Sequence, residues 1–101
     1  MKRLIWLFVL LICTNAYAQG MSVIQDKTVA VRYLGDYELA QQVIRSGDTQ
    51  ATVNLFTEGR IVFFNKSDYL YVVSSNRGFV ELRRKGGTTT YYVDQQYLQF
   101  A

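Results

Sequence analysis

Residues 69–93 read YLYVVSSNRGFVELRRKGGTTTYYV, three runs of strand character separated by two turn signals. In the first run Leu70 and Val72 alternate with Tyr69, Tyr71 and Val73, and in the second Val80, Leu82 and Arg84 oppose Phe79, Glu81 and Arg83. The third, Thr88–Val93, is built almost wholly of threonine and tyrosine. A spacing of two sends successive side chains to opposite faces of a strand, and β-branched and aromatic residues suit a pleated, half-buried surface. Asn76-Arg77-Gly78 and Lys85-Gly86-Gly87 supply the turns, since glycine accepts the backbone angles that tight turns demand. This stretch is an antiparallel meander, and the rest of the chain is read outward from it.

Upstream, Lys66-Ser67-Asp68 forms a loop before Arg60–Asn65, a further strand. Thr49–Thr57 places Ala51, Val53 and Leu55 at alternate positions and is read as its hairpin partner, with Glu58-Gly59 as the turn. Tyr37, Ala40, Val43 and Ile44 recur instead near the helical period, bounded by Asp36 as a cap and Gly47 as a stop, so a short helix is expected there. Thr28–Leu34 alternates again and is read as the first strand, while 19–27 is polar and unpatterned and reads as a flexible lead-in. Downstream, 94–101 adds an edge strand. The expected fold class is α+β, mostly antiparallel β, with a meander of about five or six strands curling toward a small barrel and one short helix after the first strand. No internal repeat or interdomain linker divides 19–101, which is read as one domain.

The N-terminus has a different character. Lys2 and Arg3 precede an apolar run, Leu4–Cys13, after which the chain turns polar at Thr14-Asn15 and small at Ala16 and Ala18. Charged, apolar, then small is the order of a cleavable export signal, which assigns 1–18 to a signal peptide and the mature start to Gln19. As a helix the run covers only about 15 Å of a hydrocarbon core about 30 Å thick. Membrane contact is therefore expected only if the segment stays attached, and the compartment is periplasmic or extracellular. Ile12 before Cys13 does not suit a lipoprotein signal, which wants a small residue there.

Removing 18 of 101 residues leaves 83, with no cysteine, histidine, proline or tryptophan. Lys2 and Arg3 leave with the signal, so 9 basic residues face 8 acidic ones and the net charge falls from +3 to +1. A nucleic-acid partner, which needs a strong basic excess, is not expected. Without disulfides, a domain this small depends on aromatic packing or self-association, which leaves a homo-oligomer open.

The same absences bound the chemistry. No Ser-His relay, thiolate nucleophile or soft-ligand metal site can be built, and no cofactor is implied. Carboxylate pairs such as Glu58/Asp68 or Asp36/Glu38 would have to meet in a cleft to serve an enzyme. Asp26, Asp48 and Asp94 follow no calcium-loop spacing and read as turn residues. The expected function is a small non-enzymatic exported module that binds another protein through an edge strand or hairpin tip, as inhibitors, immunity proteins and envelope adaptors do. The alternative is a binder of an anionic glycan or membrane surface. The candidate binding residues are Arg83, Lys85, Tyr69, Tyr71 and Tyr91, with Phe79 in the same aromatic set, although Arg83 and Arg84 must point to opposite faces.

Overall fold

The structure, a computed structural model, describes residues 20–101; the expected signal peptide lies outside the described residues. The described chain forms β1 (Gly20–Val23), β2 (Thr28–Val31), helices α1 (Tyr37–Ser46) and α2 (Thr49–Thr57), then β3 (Ile61–Phe64), β4 (Leu70–Asn76), β5 (Phe79–Arg84), β6 (Thr90–Asp94) and β7 (Leu98–Phe100). Short 3-10 turns at Leu34–Asp36 and Gln95–Tyr97 lead into α1 and β7. All seven strands join one antiparallel sheet in the order β3-β2-β6-β5-β4-β1-β7.

The sheet is curled into a half-barrel. In a flat sheet β3 and β5 would lie three strand spacings apart, about 14 Å. Instead the Arg84 guanidinium at the end of β5 donates to the Phe63 carbonyl on β3 at 3.2 Å and lies 5.0 Å from the Phe64 ring centre. Alternation along each strand sorts the apolar residues onto two faces. Val23, Ala30, Phe64, Leu70, Val80, Leu82 and Val93 fill the inside of the curl. Val31 and Ile61 face outward, where Ala40 of α1 and Leu55 of α2 cover them together with Val29, Phe63 and Tyr92. The helices thus cap the outer face of β2, β3 and β6. On the same outer face Phe79 of β5 reaches Tyr37 of α1.

The structure corrects the reading of Thr49–Thr57, which is a helix and not a strand. Positions 51 and 55 are four apart, an interval that belongs to both the strand and the helical repeat, so the spacing of Ala51 and Leu55 fits either. What decides is the start: the Asp48 carboxylate accepts from the Ala51 N–H at 3.0 Å, an N-cap that satisfies one of the free amides of the first turn. Val53 and Phe56, which a strand or wider helix face would bury, stay exposed. Glu58-Gly59 accordingly ends α2 and is not a hairpin turn. The expected α1 is present, stopped by Gly47 at φ 75°, but the Asp36 side chain does not cap it. Its carboxylate binds Arg60 through both oxygens, at 3.0 and 3.1 Å, tying the end of α2 to the start of α1.

Two further readings change. Gly20–Val23, expected within a flexible lead-in, is strand β1, paired with both β4 and β7. With it the strand count becomes seven, and the helices, two instead of one, follow the second strand. The first strand expected over Thr28–Leu34 is shorter, Thr28–Val31, and is interior, between β3 and β6. A bulge between Val72 and Ser74 shifts the β4–β5 register, so that Ser74 lies opposite Glu81; such an extra residue bends the strand and increases its twist.

Candidate functional site

Four of the five candidate residues meet on the outer face of the β4–β5 hairpin. The register pairs Tyr71 with Arg83, and the ladder continues one rung outward where the Lys85 N–H donates to the Tyr69 carbonyl at 2.9 Å. Each rung therefore sets a tyrosine beside a cation. The Arg83 guanidinium lies 5.1 Å from the Tyr71 ring centre and the Lys85 ammonium 5.9 Å from that of Tyr69, within the range over which a ring face attracts a cation. The two rings are 5.3 Å apart. Arg83 also donates to the Gly87 carbonyl at 3.0 Å, which fixes the guanidinium against the turn.

That turn is local chemistry, not a phosphate loop. The Gly87 N–H returns to the Arg84 carbonyl at 2.8 Å, and Gly86 takes φ 84°, the left-handed angle that this four-residue turn needs at its third position. A strand follows, not a helix.

Tyr69 is held from below. Its hydroxyl accepts from the Gly20 N–H at 3.0 Å, and a Cβ at position 20 would fall inside its ring, so only glycine fits there. The start of β1 thereby becomes the floor of Tyr69, a dependence that no local pattern reveals. Beside Arg83, Glu81 shares the same face and was legible from parity alone. Its two carboxylate oxygens accept from the Ser74 hydroxyl at 2.7 Å and the Thr90 hydroxyl at 2.6 Å. Among the described residues the ion pairs are Arg60 with Asp36 and Glu58, and Arg84 with Asp68. Among these residues neither Arg83 nor Lys85 is paired with a carboxylate.

Tyr91 does not belong to this group. It lies opposite Leu82, faces the inside of the curl and packs edge-on against Phe64 at 6.1 Å. Thr90 occupies the position across from Arg83; placing Tyr91 on the outer face requires a register one residue away. Phe79 is likewise engaged elsewhere, edge-on to Tyr37 of α1 at 4.8 Å. As expected, Arg84 departs from Arg83 to the other face, toward Phe64 and Asp68.

Of the acids weighed for catalysis or calcium, Glu38 stands in the first turn of α1 and the others hold structure together. Asp36 and Glu58 share Arg60, and Asp68 accepts from the Asn65 N–H and from Arg84. Asp26 receives the Lys66 N–H, Asp48 caps α2, and Asp94 accepts from Gln96. No group of three metal-ligating side chains occurs among the described residues. A shallow cleft of about 170 Å³ between Gln25, Lys27–Val29, α1, Phe63 and Tyr97 has no carboxylate in its lining.

A second surface is the sheet edge. Tyr97 and Ala101 direct their backbone groups to β1, where Ile24 donates to Tyr97 and Ala101 to Gly20. By alternation the N–H and C=O groups of Leu98 and Phe100 point away from the sheet. The Leu98 N–H is taken up locally by the Gln95 carbonyl, which leaves the Phe100 N–H and the two carbonyls; among the described residues no side chain bonds to these. The opposite edge, β3, has its Phe63 carbonyl occupied by Arg84. Exposed Ile24 and Phe100 stand at the two ends of the β1–β7 ladder. No family model, curated protein or solved structure matches the chain.

Proposed function

We propose that this protein is a small, exported, non-enzymatic module that takes up an extended segment of another protein along β7. The observation that carries the reading is the asymmetry of the two sheet edges. β3 is blunted by an arginine that fills an outward carbonyl, a device that discourages strand pairing. β7 offers the outward N–H and C=O of Phe100 and the outward C=O of Leu98, with the Phe100 side chain exposed beside them. Added strands take their affinity from such backbone groups and their specificity from neighbouring side chains. Export rests on the order of residues in 1–18. No helix among the described residues is long and apolar enough to cross a membrane.

Phe100→Pro tests the reading. It deletes one outward N–H while sparing the Ala101 and Tyr97 bonds to β1, and proline is tolerated on a sheet edge. The tagged, exported protein is crosslinked in its native host, and retained proteins are identified and quantified. The account expects a specific partner whose retention falls about tenfold in the variant, the equivalent of about 1.4 kcal/mol, with the melting temperature little changed. Equal retention by the folded variant, or a monomer that retains nothing, contradicts it.

A further inference from the structure

We infer that the Tyr69–Lys85 and Tyr71–Arg83 rungs form a binding site for an acidic polysaccharide, independent of the β7 edge. The rings and the hairpin turn hold both cations in place, Arg83 through Tyr71 and the Gly87 carbonyl, and Lys85 beside Tyr69. Preorganised cations lose less freedom when an anion arrives, and neither has a carboxylate to give up among the described residues. The nearest acid, Glu81, is held by two hydroxyls. Two residues along a strand separate the rungs by roughly 6.8 Å, which presents positive charges at a sparse, regular interval.

Sparse charge selects among polyanions. A duplex carries one negative charge per about 1.7 Å of its axis and favours proteins with a large basic excess, whereas residues 19–101 carry 9 basic against 8 acidic residues. Lipid-binding clusters use about four to eight cations, and this face has two. It is also polar around the rungs, with Ser74, Glu81 and Thr90 across the neighbouring strands. A chain of sugars bearing isolated carboxylates suits both features. Its acid groups meet the cations, and the exposed Tyr69 offers ring surface beside them.

The test measures binding of the exported protein to immobilised polygalacturonate, with neutral dextran and vesicles containing phosphatidylglycerol as parallel arms. Binding to polygalacturonate should exceed that to dextran and weaken steeply between about 50 and 500 mM salt. Arg83→Gln with Lys85→Gln should lower apparent affinity at low salt about tenfold or more. Lys85→Gln alone, which disturbs no hydrogen bond, should lower it severalfold, while Arg45→Gln on α1, an equal change of charge, should leave it unaltered. Equal binding to dextran, an unaffected Lys85→Gln variant, an equal loss with Arg45→Gln, or binding to vesicles alone would each overturn the assignment. Phe100→Pro should keep polysaccharide binding, and the double variant should keep the β7 partner, so failure of one site is separable from failure of the other.

Discussion

At Asp36 a single side chain shows how residue chemistry departs from residue pattern. Its position ahead of a helical repeat marks it as a cap, yet its carboxylate is committed to Arg60, and that hydrogen-bonded pairing holds its pKa below the usual carboxylate range. The consequence has a definite sign. A depressed folded-state pKa stabilises the protein above the unfolded value, near 3.9, and that contribution is lost as pH falls through the folded value. Arg60→Gln should therefore be less stable than the natural protein at pH 6, and the gap should close as denaturation is repeated toward pH 2. A gap of constant size across that range would show that Arg60 acts through packing alone. Among the site residues, parity along β5 sufficed to place Arg83 and Arg84 on opposite faces and to join Glu81 to Arg83. Tyr91 was misplaced because its face depends on the β5–β6 register, which the two glycines and two threonines of the connection leave undefined in sequence.

The elements divide by how much of their signal is local. β4, β5 and β6 were legible because alternation, turn residues and composition agree, and α1 because Ala40 and Val43 lie between a polar start and Gly47. α2 was not legible, since threonine and valine favour strands while its cap, Asp48, is a single residue that also suits a loop. The Asp48 cap then becomes the decisive test of the element: Asp48→Ala should cost about 1 kcal/mol of stability, within the usual range of 0.5–2 for a lost N-cap. Denaturant unfolding would measure it. A change near zero would show that Leu55 and the packing of α2 on β3 hold the helix without its cap.

Across the whole molecule, topology was the part least visible in sequence. A consecutive meander places its first strand at an edge, but here β2 is interior and β1, four residues long, is inserted between β4 and β7. β1 gives too short a run to show a period, and what fixes it is the meeting of Gly20 with Tyr69 across the chain. This insertion is what carries the open edge to β7, where the outward groups of Leu98 and Phe100 become the surface on which the functional reading depends. Residue-resolved amide exchange along β7, in the free protein and in complex with its captured partner, probes that surface most directly. The account predicts that Phe100 exchanges rapidly when free while Gln99 and Ala101 are protected, and that the partner slows Phe100. Protection of Phe100 already in the free protein, or no slowing in the complex, would contradict it.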